Sequence, residues 1–300
     1  MYLHNNKKLF EEVINETNVR TGIAESIIEK DYYVTIILKH LAKRSPDAVF
    51  KGGTALSKCF HLIDRFSEDI DITFSEHIGA ARRKKLKYNT LKPISDELGM
   101  PIENWDTIES NKDYNYYLFC YQPVSYYSGE GISSGVRLET ALVSYSFPTE
   151  EKEVGSIIYE ALTDIAPDII TDYGLEPFSM SVQSVSRTFI DKIYALCDYY
   201  MENKTKRFSR HLYDIHKIYP TITINDSFKK LTAQVREHRS HFSICPSAKG
   251  GVDVKNLITE FLDTDFYKSD YNTITKALIS DNVTYEQASL TLREIADKLF

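Results

Sequence analysis

One segment, residues 51–74, constrains the fold of this chain more than any other part of the sequence: KGGTALSKCFHLIDRFSEDIDITF. The short apolar run just before it, DAVF, predicts a strand that ends at two glycines. The next residues have helical spacing, and DIDITF then alternates polar and apolar side chains as a half-buried strand does. This succession of strand, glycine turn, helix and strand predicts a mixed α+β fold.

Two aspartates on the second predicted strand carry the strongest chemical signal. Because side chains alternate between the two faces of a strand, Asp69 and Asp71 point one way while Ile70 and Ile72 point into the core. Two neighbouring carboxylates repel each other, which is costly unless a cation lies between them. Mg²⁺ commonly binds one or two carboxylates together with substrate phosphates. The pair indicates a magnesium or manganese site, although a solvated strand face explains the pair alone equally well.

The glycine turn suggests a partner for that metal. Gly52 and Gly53 lack Cβ atoms, so backbone N–H groups at the start of the following helix can approach a phosphate closely. Thr54 can cap this helix or bond a phosphate oxygen. The Walker pattern GxxxxGK[ST] is absent. A simple strand-to-helix turn explains two glycines alone, but a turn this close to a metal site favours a phosphate cradle.

The remaining sequence divides into two parts. Helical spacing of apolar residues extends over residues 7–44 and 80–98, and YYLFCYQPV and VRLETALVSYSF predict further strands. From about residue 155 onward the pattern is mostly helical. We place a boundary near residue 175, which gives an α+β part, residues 1–175, and a mainly helical part, residues 176–300.

Composition and charge exclude several classes of protein. The net charge of −7 is unlike that of a whole-surface nucleic-acid binder. No run of eighteen apolar residues occurs, so no membrane span is expected. The N-terminus lacks the features of a signal peptide, and the four scattered cysteines form no CxxC pair. We therefore expect a cytoplasmic protein without a zinc ribbon or a disulfide framework.

Two local features are suited to nucleic acid. Basic residues cluster at 81–87 and 204–211, and such patches can bind a phosphate backbone on an acidic protein. Tyrosines crowd between residues 114 and 127, and aromatic rings can stack on bases. Considered alone, solvated surfaces and ordinary strand residues are the simpler interpretations. The tyrosines are Tyr114, Tyr116, Tyr117, Tyr121, Tyr126 and Tyr127.

Several motifs in a fixed order resemble a known family. The GGT…SxDxD arrangement is similar to that of the nucleotidyltransferase superfamily that includes DNA polymerase β. KGGTALSK, RFSEDID, FIDKIYAL and RHLYDI together resemble the AbiEii/AbiGii toxins, the toxin halves of bacterial toxin–antitoxin and abortive-infection systems. The resemblance covers roughly residues 25–220, including EKDYYV. It implies a nucleotidyltransferase domain over residues 1–175, with a mixed sheet flanked by helices, and a helical domain over residues 176–300 that completes the active site.

The resemblance also implies roles for individual residues. Asp69 and Asp71 would bind the catalytic metal, and Lys192 would contact the phosphates. Asp214 would act as a base or would orient the attacking hydroxyl. The residues placed around the nucleotide are Gly52, Gly53, Thr54, Lys58, Arg65 and Ser67.

The later residues have alternative interpretations. Lys192 lies at the edge of an apolar helix face, where a lysine can extend its amine to water. Asp214 follows Arg210 by four residues and could form a helix ion pair with it. Glu139 is a candidate third metal ligand on a neighbouring strand, but a solvated edge-strand glutamate explains it equally well. His211 stands where many family members carry an acid, which puts any role of that acid in doubt here.

The resemblance implies a Mg²⁺-dependent toxin, able also to use Mn²⁺, that transfers NMP from an NTP to an acceptor. The expected acceptor is RNA, in particular the 3′ end of tRNA, so that translation would be blocked. The two basic clusters would contact the RNA backbone, and an antitoxin would restrain the enzyme. The alternatives are nucleotidylation of a protein and a regulator that binds NTP with little turnover.

Overall fold

The computed structural model describes residues 1–65, 67–125, 135–142 and 144–300. The chain divides into two compact units. The first contains Met1–Cys59 and Ser67–Val182, and the second contains Phe60–Phe66 and Gln183–Phe300. The chain therefore leaves the first unit directly after the predicted helix of the glycine turn and returns to it just before the aspartate pair.

The first unit begins with two long helices that are joined by a short turn. Helix α1 spans Lys7–Thr21 and is capped by Gly22, whose φ of 70° is left-handed, and α2 spans Glu25–Arg44. Both were predicted from apolar spacing. The further helices of this unit are α3 (Gly52–Lys58), α4 (Ala80–Lys85), α5 (Lys92–Leu98), α6 (Ile157–Leu162) and α7 (Pro167–Asp172), with a π-helical turn at Leu86–Leu91 between α4 and α5.

A six-stranded mixed sheet forms the centre of this unit, in the order β3-β4-β2-β1-β6-β5. Strand β1 is antiparallel to β2 and parallel to β6, while β4 is parallel to β2 and antiparallel to β3. This sheet confirms the predicted α+β class. The strands are β1 (Ala48–Lys51), β2 (Ile70–Phe74), β3 (Tyr114–Cys120), β4 (Gly135–Ala141), β5 (Thr149–Val154) and β6 (Phe178–Gln183).

The core of the first unit follows from the alternation of its strands. Ile70 and Ile72 of β2 and Phe50 of β1 are fully buried, whereas Asp71 between the two isoleucines stays partly accessible. Burying apolar surface contributes roughly 25 cal/mol per Å², so these side chains fix which face of β2 points inward. The same alternation leaves the aspartate on the opposite face.

The second unit consists of helices together with the segment Phe60–Phe66. Ser184 caps its first helix by accepting a hydrogen bond from the Arg187 backbone N–H, and Thr284 and Gln287 form a capping box at its last. Among the residues that the structure describes, no helix is both long and apolar enough to cross a membrane. The helices are α8 (Val185–Met201), α9 (Arg210–Ile218), α10 (Asp226–Ser240), α11 (Val254–Asp263), α12 (Lys268–Asp270), α13 (Lys276–Leu278) and α14 (Tyr285–Leu299), with a π-helical turn at Tyr271–Thr275.

Candidate active site

The glycine turn places backbone directly against a carboxylate. Strand β1 ends at Lys51 and α3 begins at Gly52, whose φ is 82°. A Cβ atom at Gly52 would lie 2.1 Å from Oδ2 of Asp71. The position therefore needs glycine for two reasons, because the backbone conformation is left-handed and because the Asp71 carboxylate occupies the space of a side chain.

The strand register aligns several polar residues in one row across the sheet. Lys51 of β1 pairs with Asp71 of β2, and Asp71 pairs with Glu139 of β4. Glu139 in turn pairs with Tyr116 of β3. Residues directly opposite on neighbouring strands point to the same face. Glu139 therefore shares a sheet face with Asp71, as the sequence suggested, while Asp69 precedes β2 by one residue.

The carboxylates in this row act on one another electrostatically. Burial raises the pKa of Glu139, and the negative charges of Asp71 and Asp69 raise it further. Arg137 opposes this effect, with its Nε 2.7 Å from Oε1 of Glu139. Mutual repulsion among oxygen ligands is what a divalent cation relieves, and hard cations of this kind prefer such ligands.

The aspartate pair Asp69 and Asp71 stays the predicted metal site. In the described part of the chain, no three His, Cys, Asp or Glu side chains converge closely enough to hold an ion. Two carboxylates suffice for Mg²⁺ when substrate phosphates and water supply the other ligands. Glu139 is paired with Arg137 through Oε1, and its role as a third ligand stays a prediction.

Thr54 and Ser67 lie side by side at the residues that precede β2. Thr54 is 1% exposed, and its hydroxyl donates to the backbone oxygen of Asp69 at 2.6 Å. The same hydroxyl lies 2.9 Å from Oγ of Ser67. Thr54 lies inside α3, and the N-cap residue is Lys51, without a side-chain cap. Thr54 is therefore not the helix cap. Its hydroxyl fixes the residues before β2, and its contact with a phosphate stays a prediction.

A buried lysine on α2 braces the same loop. Lys30 is 1% exposed, and its amine lies 3.0 Å from Oε2 of Glu68, the residue before Asp69. It also donates to the backbone oxygen of Gly135, where β4 begins. One side chain thus links the strand that carries Glu139 to the loop that carries Asp69. The segment EKDYYV carried a sequence signal for this role, since charged residues interrupt an apolar helix.

The neighbours of Lys30 brace two further segments. Asp31 forms an ion pair with Lys58 at the end of α3 and accepts a hydrogen bond from the Ile157 backbone N–H at 2.8 Å. Glu29 accepts hydrogen bonds from the backbone N–H groups of residues 124 and 125, at 2.8 and 3.0 Å. Lys58, which is predicted to line the nucleotide site, has a mostly buried side chain that is paired with the Asp31 carboxylate.

Three predicted residues come together in the second unit. Arg65 donates to Asp214 through two atoms, with Nε 2.6 Å from Oδ1 and Nη2 2.7 Å from Oδ2. Lys192 donates to the same Oδ2 at 2.6 Å. The Asp214 carboxylate is completely buried. These ion pairs replace the alternatives of an extended lysine and a helix pair with Arg210.

The buried cluster changes the chemistry expected of Asp214. Burial alone would raise the pKa of this carboxyl, but the positive charges of Arg65 and Lys192 outweigh burial and hold the pKa far below its ordinary value. A carboxylate with so low a pKa is a poor proton acceptor. The geometry favours the alternative in which Asp214 is an orienting group, and its role in the reaction stays a prediction.

His211 occupies the position at which the family resemblance predicts an acid. Burial lowers the pKa of its imidazole well below the ordinary value, and the charges of Lys192 and Arg210 add to this effect. The ring is therefore neutral at neutral pH. Within the described residues, its buried Nδ1 has no hydrogen-bond partner. The chain thus has an uncharged group where an acid was expected.

The first basic cluster is less available than the sequence suggested. Arg83 is buried and pairs with Asp113 at 2.6 Å. Lys87 is also buried and donates to the backbone oxygen of Ile108 at 2.7 Å. The exposed cations of this first cluster include Lys84 and Lys85. In the second cluster, the exposed cations include Lys206 and Arg207.

The mixed sheet carries a row of carboxylates beside a glycine turn, and comparison with known proteins identifies the chain as a nucleotidyltransferase. The family model described as "Nucleotidyl transferase AbiEii toxin, Type IV TA system" matches residues 36–298. The chain belongs to this family of toxins, which confirms the resemblance. The family implies an NTP substrate and an antitoxin partner.

A solved structure shows the same fold. MenT4, a nucleotidyltransferase toxin from Mycobacterium tuberculosis H37Rv, aligns with a TM-score of 0.55 and 15% sequence identity. The alignment covers 97% of this chain and 89% of MenT4. No curated protein matches the sequence.

Proposed function

We propose that this toxin transfers NMP from an NTP to the 3′ end of an RNA, in particular a tRNA, with Mg²⁺ or Mn²⁺. An altered 3′ end would prevent aminoacylation and so stop translation. The observation that supports this proposal best is the packing of Asp71 against Gly52, with Glu139 in register on the next strand. This arrangement places backbone that can approach a phosphate directly beside two carboxylates.

Different residues would bind the metal and the phosphates. Asp69 and Asp71 would hold the metal, which when bound neutralises the triphosphate and the developing charge on the leaving group. The backbone at Gly52 and Gly53 would lie against the phosphates. The acceptor hydroxyl oxygen would bond to the α-phosphorus as the bond to pyrophosphate breaks, and the hydroxyl proton would pass to solvent. Positioning and charge neutralisation would supply most of the rate.

Charged groups elsewhere are suited to substrate binding. Arg65 and Lys192 both bind the Asp214 carboxylate. Contact of Lys192 with the phosphates and of Arg65 with the nucleotide is what the family resemblance implies. The exposed Lys84, Lys206 and related cations would contact the RNA backbone.

The proposal can be tested by transfer of label from each of the four α-³²P-NTPs into total cellular RNA with Mg²⁺. Asp71→Ala should abolish label in a tRNA-sized band, and Asp164→Ala, an exposed aspartate between α6 and α7, should leave the band unchanged. Label on protein in place of RNA would favour protein nucleotidylation. Binding of NTP without transfer to either acceptor would favour the regulatory alternative.

A further inference from the structure

Two exposed tyrosines lie on the face of the sheet that carries the carboxylate row. Tyr114 and Tyr116 of β3 are 47% and 40% exposed. Between and after them, Asn115 and Tyr117 point to the other face, where they are 8% and 2% exposed. The alternation of the strand therefore presents two large rings on one side.

Register fixes where these rings lie relative to the aspartate. Tyr116 is directly opposite Glu139, and Glu139 is directly opposite Asp71. Neighbouring strands are about 4.8 Å apart, so the Tyr116 backbone lies about 10 Å from that of Asp71. One nucleotide can bridge this separation, with its phosphate near Asp71 and its base near Tyr116.

A single arginine holds the tyrosine pair in place. The guanidinium carbon of Arg137 lies 4.4 Å from the centre of the Tyr116 ring. The same guanidinium donates to the hydroxyl of Tyr114 at 2.9 Å and pairs with Glu139. Arg137 covers one face of the Tyr116 ring, which orients the ring and leaves its exposed surface for another planar group.

Exposed tyrosines are common on strands, and most serve no ligand. These two differ because they share the face of the carboxylate row and because Arg137 ties them to Glu139 in that row. Stacking on an aromatic ring is how many proteins hold an unpaired base without reading its identity. The chemistry of this surface is therefore suited to a nucleobase.

We propose that Tyr116, oriented by Arg137, stacks on a nucleobase of a substrate. The base belongs either to the incoming NTP or to the terminal nucleotide of the acceptor. This inference rests on the proposed nucleotidyl transfer and adds a binding surface to it. Of the other tyrosines in this part of the sequence, Tyr126 and Tyr127 lie outside the described residues.

Steady-state kinetics test the proposal and separate the two sources of the base. Loss of one stacked ring weakens binding of a base roughly ten- to hundredfold. Tyr116→Ala should raise KM by that factor for NTP if the base is that of the nucleotide, or for the acceptor if it is the terminal base. Tyr116→Phe should keep wild-type KM values, because stacking uses the ring. Tyr88→Ala, which removes a tyrosine that is 48% exposed outside this row, is the matched control.

A binding measurement keeps the test independent of turnover. Trp105 is the single tryptophan, so a Tyr116→Trp, Trp105→Phe double variant would report on position 116 alone. Its fluorescence should be quenched by an NTP or by a short single-stranded oligoribonucleotide, but not by tripolyphosphate. Quenching without any transfer would reject the proposed function and keep the stacking surface. No quenching by either ligand in a folded protein, or unchanged KM values in Tyr116→Ala, would overturn the inference.

Discussion

Replacing Gly52 by alanine would displace the Asp71 carboxylate without adding or removing a charge. The φ of 82° at Gly52 lies in the left-handed region, where a Cβ atom costs roughly 1–2 kcal/mol. The new Cβ atom would also lie 2.1 Å from Oδ2 of Asp71, whereas ordinary contact begins near 3.4 Å. The carboxylate must therefore withdraw by about 1 Å or more, since the end of the side chain can move and the backbone of the strand cannot.

The two effects have separate magnitudes. The backbone conformation should lower the free energy of unfolding by roughly 1–2 kcal/mol. Displacement of a catalytic group by about 1 Å can reduce the rate about a hundredfold. Gly99→Ala is the matched control, because Gly99 has a φ of 64° and a Cβ atom there would meet no atom within 4 Å. It should lose similar stability and keep its activity.

Urea unfolding and transfer of α-³²P label, measured on both variants and on the wild type, would decide the matter. We expect the activity ratio of the two variants to approach a hundred while their unfolding free energies agree within about 1 kcal/mol. Equal transfer by the two variants would show that the contact between Gly52 and Asp71 has no bearing on catalysis, and the argument from the glycine turn would fail.

Four further outcomes are expected. Asp214→Asn should lower the free energy of unfolding in urea by roughly 3–5 kcal/mol, because it removes the buried carboxylate that pairs with both Arg65 and Lys192; a loss below about 1 kcal/mol would contradict this. Because the pKa of Asp214 is lowered by folding, this carboxylate stabilises the protein fully above the ordinary carboxyl pKa of 3.8, and the stabilisation is lost as the pH falls toward the folded-state pKa. Unfolding curves at several pH values should therefore show an acid-dependent loss of stability in the wild type that is absent from Asp214→Asn. Lys30→Met should lower transfer while reducing stability by roughly 1–3 kcal/mol, since Glu68 loses its ion pair, and wild-type kcat in this variant would speak against a bracing role. Chelation by EDTA should abolish transfer, with recovery on added Mg²⁺ or Mn²⁺, and label transfer that persists in EDTA would exclude the proposed metal site.

Sequence patterns predicted the parts of the fold that repeat a simple period. Strand β2 alternates apolar and polar residues, and α2 carries a long apolar stripe, so both were placed correctly. Strand β5, TEEKEV, was missed because almost every residue is polar and the strand lies at the edge of the sheet. Strand β6 was missed within a region of helical signal. Edge strands and short strands between helices depend on tertiary pairing that a local pattern does not contain.

The site residues show the same limit. The placement of Glu139 beside Asp71 was anticipated because the family resemblance suggests a third carboxylate on a neighbouring strand, and strand alternation allows Glu139 to share the face of Asp71. The partner of Asp214 could not, because Arg65 lies 149 residues away while the local rule indicated Arg210. Arg83 and Lys87 likewise looked like surface charges, although each is buried against partners that only folding brings near.

Three successive charged residues of α2, at positions 29–31, hold segments around the candidate active site in place, although none of the three is proposed to contact the substrate. Successive side chains on a helix point about 100° apart, so their three anchor points spread around much of its circumference. A small rotation of α2 would shift the loop before Asp69, the start of β4 and the end of α3 at the same time. We expect a genetic selection for harmless variants to return substitutions at Glu29, Lys30 and Asp31 as often as at Asp71.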